Sequence, residues 1–423
     1  MAKENETSGK ETVIVVGFNA RPIVSSAKRA GFKVLAVDYW GDTDLVATAD
    51  DTETVLKQVP GKRPREELRR PASDLLFDCV ERIASRHRGE ADFILVGSGL
   101  DDRPDLWLEL ESTAPILGNP PATLARVRDR FQLYETASRL GIATPTTFKA
   151  SSLKETLDFA NKIRYPVVVK PPGGGGGLGI RFAKTESELR KLYLTEMKPH
   201  FGDTVFLQEY IEGDHTSASI MGNGSSCVVL TANEQLIGLG ELGASAPFVW
   251  CGNVVPLDRS PNNRKVRAIT AAAKSLGENL KLYGSNGFDF VLRRRDETPV
   301  IIECNPRFQG TLECVEMATG ITLVNEHVKA CRGELPRKLP APERYVAKMI
   351  PFAKERCMVG DLKSIQGVGD VSPEGVICER GDPICTVHGT GETRDESMKN
   401  ARKSVAEIYR RTTVQGILEN SEE

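Results

Sequence analysis

The sequence predicts an α/β unit, then a larger α+β unit, then a small α+β segment at the C-terminal end. Three observations carry this. Residues 12–47 read as strand, helix, strand: TVIVVGF, a helix opened by Arg21-Pro22, and KVLAVDY with Asp38 at its end. Residues 216–256, then GSNGFDFVLR and PVIIECNPR, read as antiparallel strands, the last two joined by a polar turn at Arg294–Thr298. Between these regions runs YPVVVKPPGGGGGLGIRF, residues 165–182, an apolar strand ending in Lys170 and followed by two prolines and five glycines.

The 423 residues suffice for two or three domains. The polar start, MAKENETSGKE, is expected to be a short disordered tail and not a signal peptide, and ILENSEE after Gly416 to fray. In the first helix Pro22 suits the first turn and Gly31 ends it. This βαβ could hold a dinucleotide with Asp38 on the ribose, but Phe18, Asn19, Ala20 and Arg21 stand where the glycine fingerprint would continue. A helix is expected near 73–87, then the strand DFILVGSG. Ligands of open α/β sheets sit beyond such strand ends. Phe18, Asn19, Asp38, Ser98, Asp101 and Arg103 are therefore candidate substrate residues, with ordinary turn chemistry as the alternative. The basic run 61–71 reads as a solvated face, or else as a polyanion site.

Pro120-Pro121 mark a boundary, near 118. One helix is expected over the following segment, with Leu124, Val127, Phe131 and Leu133 on its apolar face, Gly141 capping it and Pro145 stopping it. Further helices are expected at 186–198 and 262–280, with VFLQEYIEG a strand between them. A second boundary is expected near 339. Within 340–412, GVICERGDPICTVHG reads as a hairpin turning at Arg380–Asp382, and Thr393 with Glu396 as a capping box opening a helix.

A net charge of −2 gives no field that argues for nucleic acid or an anionic membrane. No apolar run approaches the ~20 residues that cross a bilayer. Nine scattered cysteines, with no C-x-x-C and no histidine cluster beside them, suggest a reduced, cytoplasmic protein without structural zinc.

The glycine segment reads as a phosphate-gripping hairpin. Gly173, Gly174, Gly175, Gly176 and Gly177 let backbone N–H groups approach an anion, and Lys170 adds a mobile cation. It is not a Walker A loop, because the lysine precedes the glycines and a strand, not a helix, follows. A flexible linker is the alternative, but a linker has no reason to sit between apolar strands. Glu303 and Asn305, two apart on a strand, share a face, and Asp289 lies on the neighbouring strand. Two carboxylates and an amide suit Mg²⁺, and Arg307, two residues on, suits a phosphate or acyl-phosphate oxygen. Solvent-facing acids on an edge hairpin are the alternative. In FLQEYIEGDHTSAS a strand runs into Glu209, Tyr210, Ile211 and Gly213, where backbone groups can hydrogen-bond an adenine, or simply turn.

In this order the segments resemble the ATP-grasp superfamily over about 115–335. The flanking βαβ and the C-terminal segment resemble the carbamoyl phosphate synthetase, biotin carboxylase and purine-biosynthetic branches, and ECNPRFQGTLECVEMATGI is particularly similar to the first. The resemblance implies ATP gripped between two antiparallel sheets, one in a mobile lid at about 143–210. It implies Mg²⁺ or Mn²⁺, and phosphorylation of a carboxylate to an acyl phosphate that an amine attacks. By motif, Lys170 would contact the α/β-phosphates under the glycine loop, and Glu209 and Ile211 would bind adenine by backbone. Asp289, Glu303 and Asn305 would hold the metal, and Arg307 would steady the transferring phosphoryl group. The sequence departs from the family pattern at three places. Asp129 is followed by Arg130 where a lysine is common, so Arg130 is expected on the phosphates. Gln208 and His215 stand where glutamates are common, which leaves the ribose to His215 or to Asp214.

Trp250, Cys251 and Asn253 lie in the zone that borders the acceptor pocket in the family, or else are a core tryptophan and a turn. The resemblance extends to predicted archaeal and methylotroph carboxylate–amine ligases, whose substrates include amino acids and coenzyme precursors such as methanofuran. Small-molecule acid and amine partners follow, and a homodimer, since relatives are often dimers. Two other readings stay open: a carboxylase-type subunit that activates bicarbonate, and a nucleotide-binding regulatory module without turnover.

Overall fold

A computed structural model describes residues 10–64 and 70–414. The expected N-terminal tail up to residue 9, the tail after Gly416, and residues 65–69 of the basic run lie outside the described residues.

The first sheet has four parallel strands in the order Asp51–Thr54, Lys33–Asp38, Thr12–Gly17, Phe93–Val96. Thr12–Gly17 is buried throughout because helices cover both faces. Val13 and Val15 pack with Ile23 and Val24 of the helix Arg21–Arg29, while Ile14 and Val16 pack with Leu76 and Val80 of Ala72–Arg86. The edge strand Asp51–Thr54 reads DTET, which has no apolar period and gives no sequence signal.

The second sheet has eight strands. Its first five, in order, are Pro299–Asn305, Tyr283–Arg293, Gly213–Asn223, Cys227–Ile237 and Trp250–Val255, all antiparallel. Tyr345–Met349, Thr386–Gly391 and Val368–Gly369, from the C-terminal segment, extend this same sheet. The helix Arg264–Asn279 covers one face with Ile269, Ala273 and Leu276. The third sheet, Thr147–Ala150, Val205–Glu209, Val167–Lys170 and Arg181–Ala183, is antiparallel, and its helices pack on one side.

Two expectations are corrected. The single helix after Pro121 is two, Pro121–Arg128 and Arg130–Arg139. Asp129 breaks it by leaving helical geometry and accepting bonds from Phe131 N and Gln132 N, an N-cap that outweighs the continuous apolar pattern. The hairpin at 375–389 does not form. Glu379 and Asp382 do make a turn, but Ile377–Cys378 pairs with Cys357–Met358 while Thr386–Gly391 joins the large sheet.

Candidate active site

A cleft of about 980 Å³ lies between the third sheet and the large sheet, bordered also by the N-terminal sheet. Val167–Lys170 delivers Lys170 to it, 7% exposed. Burial, then Arg130, pushes the Lys170 ammonium down to about 8, against the pull of Glu303 and Asp289.

The glycine loop is seated on its surroundings. Gly174 N donates to Asp102 Oδ2 at 3.2 Å, and Gly176 O accepts from Trp250 N at 3.0 Å. Gly177, at φ +76°, has no room for a side chain, because a Cβ would stand 1.7 Å from Phe248 O. Gly174, Gly175, Gly176 and Gly177 line the cleft, whereas Gly173 sits behind them against Asp102.

Strand register places Asp289 directly opposite Glu303, and Gly287 opposite Asn305. Asn305 Nδ2 donates to Asp289 Oδ2 at 3.1 Å, and Gln235 Nε2 to Asp289 Oδ1 at 3.0 Å. Burial and the neighbouring Glu303 push the Asp289 carboxyl up to about 7. Two crowded carboxylates plus an amide are hard oxygen donors that one divalent cation would relieve, so the set fits Mg²⁺ sharing its remaining positions with phosphate and water. Among the described residues no three His, Cys, Asp or Glu side chains form a closed metal cage. Arg307 is held at three points: Nε to Asp101 Oδ2 at 2.8 Å, Nη2 to Asn305 Oδ1 at 3.2 Å and Nη1 to Phe308 O at 3.0 Å. Its planar fork is thereby fixed in the cleft wall.

The strand Val205–Glu209 of the third sheet passes through a short hinge, residues 210–212, into Gly213–Asn223 of the large sheet. Gln208, Glu209, Tyr210, Ile211 and His215 line the cleft. The Gln208 amide is spent on Tyr134 Oη and Thr147 Oγ1, both at 2.9 Å, so it braces the hinge. Burial lowers the His215 pKa, which favours the neutral imidazole. Asn19, Asp101, Trp250 and Asn253 also line the cleft, with Trp250 Nε1 bonded to Asn253 Oδ1 at 2.8 Å.

Three expected contacts, Asp214, Asp38 and Cys251, fall elsewhere. Asp214 faces away from the cleft and pairs with Lys265 at 3.1 Å, because neighbours on a strand point to opposite faces and His215 takes the inner one. Asp38 does not line the cleft, since its oxygens accept from Ala20 N, Trp40 N and Gly41 N and fix the strand-end loop. Cys251 lies in the core, its Sγ on Val249 O. Arg130 lies over the Phe206 ring at 4.6 Å and donates to Pro171 O at 3.4 Å, at the start of the glycine segment and near Lys170. The arginine of this segment that does line the cleft is Arg128, 2.5 Å from Glu303 and 2.7 Å from Asp102. Arg128, Gln235 and Lys348 are cleft residues that the sequence reading passed over.

Residues 127–311 match the ATP-grasp domain family. An uncharacterized protein of Methanocaldococcus jannaschii is 27% identical over 90% of this chain and 88% of its own length. The carbamoyl phosphate synthase large chain of Saccharolobus islandicus is 28% identical over 61% of this chain, which spans only 24% of that protein. The biotin carboxylase domain of the Hydrogenobacter thermophilus 2-oxoglutarate carboxylase, solved as a dimer with MgADP, ADP and bicarbonate, superposes with a TM-score of 0.73. That match covers 96% of this chain and 91% of that one at 18% identity, and so shows a shared fold. No helix among the described residues is long and apolar enough to cross a membrane. The glycine loop, the paired carboxylates and the third sheet thus sit in a segment whose sequence matches the ATP-grasp domain family, within a chain that shares its fold with the biotin carboxylase domain.

Proposed function

We propose that the chain is an ATP-dependent carboxylate–amine ligase that forms an amide through an acyl phosphate and releases ADP and phosphate. One observation carries the reading: Lys170, the glycine loop, the Asp289/Glu303/Asn305 set and Arg307 all border one cleft. ATP would lie with its adenine at Glu209–Ile211 and its phosphates under Gly174–Gly177, close to Lys170. Bound Mg²⁺ at the carboxylates would supply charge neutralisation to the phosphates. Arg307, held by Asp101, would steady charge on the transferring phosphoryl group. The loop seated on Asp102 and Trp250 would exclude water that otherwise hydrolyses an acyl phosphate. No covalent nucleophile is required, since positioning and charge supply the acceleration.

A bicarbonate-activating subunit remains the second reading, favoured by the shared fold with the biotin carboxylase domain. The cleft weighs against it: Phe18, Trp40 and Phe352 line its far reach and offer an apolar wall for which bicarbonate has no use. An amino acid or a coenzyme precursor has the carbon skeleton that such a wall would bury.

The test is magnesium-dependent ADP release, with ATP against a panel of amino acids and other small carboxylates, with and without pooled amines, and with bicarbonate. Release that requires one acid and rises with an amine is the expected result. Release with bicarbonate alone would establish the second reading. Glu303→Gln should abolish turnover with the thermal unfolding profile retained, and an unchanged rate would defeat the metal assignment.

A further inference from the structure

Where the loop after Lys33–Asp38 meets the segment around 370, the cleft wall carries an excess of acceptors. Asp42, Asp370 and Thr386 line the cleft there and are 6%, 7% and 4% exposed. Asp370 Oδ2 and Thr386 Oγ1 are buried and find no hydrogen-bond partner among the described residues. Asp42 Oδ1 accepts from Gln58 Nε2 at 2.8 Å, an amide that brings no charge. Buried polar atoms are ordinarily satisfied, so unpaired oxygens of this kind await a donor.

The charges behind this wall do not cancel. Arg21 donates to Asp370 Oδ1 and, in bidentate fashion, to both oxygens of Glu313 at 2.7 Å, with Asp44 3.4 Å away. Lys348 Nζ is 3.6 Å and His388 Nε2 3.5 Å from Glu313. Burial lowers the His388 pKa and so favours its neutral form. Asp38, Asp42, Asp44, Glu313 and Asp370 thus crowd around Arg21 and Lys348, and burial together with the neighbouring Asp370 pushes the Asp38, Asp42 and Asp44 carboxyls up, as in a cluster short of a cation. Burying that surplus without a counterion is costly. The apolar rings of Phe18 and Trp40 in this cleft favour an organic cation over a hydrated metal ion. An ammonium, with three N–H donors, suits two carboxylates and a hydroxyl. Phe18 and Trp40 line the same part of the cleft and would cover the attached carbons.

We propose that Asp42, the free oxygen of Asp370 and Thr386 form a subsite for a substrate's protonated primary amine. The proposal rests on the ligase reading and sharpens it. An ammonium held by carboxylates keeps its proton and is no nucleophile, so it is a recognition handle and not the nitrogen that forms the amide. The substrate is either an acid that bears an ammonium or an amine that bears a second one.

The probe is ¹³C-methylammonium, titrated into the full chain at constant ionic strength against sodium and followed by NMR line broadening, with MgADP affinity measured on the same samples. Saturable binding is expected, weakened at least about tenfold by Asp42→Asn and several-fold by the near-isosteric Thr386→Val, with MgADP affinity unchanged. Thr386→Val stands alone if Asp42→Asn does not fold. Absence of saturation in the wild type, or equal binding by the folded variants, overturns the subsite. Loss of MgADP binding by the wild type would instead strike the ligase reading. Once ADP release has named the substrates, competition of methylammonium with the acid assigns the ammonium to the acid, and competition with the amine assigns it to a diamine. Competition with neither overturns the proposal.

Discussion

Lys170 is a cation whose charge depends on its burial. Burial pushes its pKa down to about 8, well below the usual lysine range, so the ammonium is charged below that point and neutral above it. Phosphate contact needs the charged form. Affinity for MgATP should therefore be level below pH 7.5 and fall up to about tenfold by pH 9. Binding at pH 8 should take up a proton, read by calorimetry in buffers of differing ionisation enthalpy. Constant affinity across that range would remove Lys170 from the phosphates. At this scale the candidate residues were legible one segment at a time: Lys170 by the strand and glycines around it, and Glu303, Asn305 and Arg307 by their spacing of two, and all of them with Asp289 line one cleft. Gln235 was not, because it reaches Asp289 from 54 positions away, across two strand pairings. Arg128 was not legible either, because the helix break at Asp129 that sets its direction lies within a continuous apolar pattern.

At the scale of elements, the glycine loop works through individual positions. Gly177→Ala would drive a Cβ into Phe248 O at a left-handed φ, so the loop must lift from its seat. Turnover should fall tenfold or more and KM for ATP should rise, with global stability changed by less than about 1 kcal/mol. Gly175→Ala, with nothing within 4 Å of its Cβ, is the matched control and should stay near wild type. Equal loss in both variants would mean that flexibility in general, and not seating, is what the glycines provide. Regular elements were readable from period and turn chemistry, the Thr12–Gly17 strand and the helix Arg264–Asn279 among them. The misplaced hairpin shows where that reading stops. Its turn chemistry is present at 379–382, but the strands on either side have partners elsewhere in the chain, and pairing is a tertiary fact.

At the scale of the whole molecule, Arg21 is a tie among three distant segments, through Glu313 and Asp370. All three side chains are nearly buried, so removing the cation strands two carboxylates away from water. Arg21→Leu should cost about 3–5 kcal/mol in urea unfolding, and adding Glu313→Leu should recover part of that loss. Two additive losses would show that the pair is not coupled. The sequence offered no sign of this tie, because residues 21, 313 and 370 share no local pattern.

The continuity of the large sheet has a practical consequence. Trp250–Val255 is an interior strand only because Tyr345–Met349 lies beside it, and the segment matched to the ATP-grasp domain family ends at 311. A shortened protein trimmed to that matched stretch would carry an open row of backbone N–H and C=O groups along a strand of mostly apolar residues. Such a fragment should associate edge to edge and come out of solution, and the smallest workable unit for expression must run on through the strand Thr386–Gly391 and the helix Arg394–Arg411.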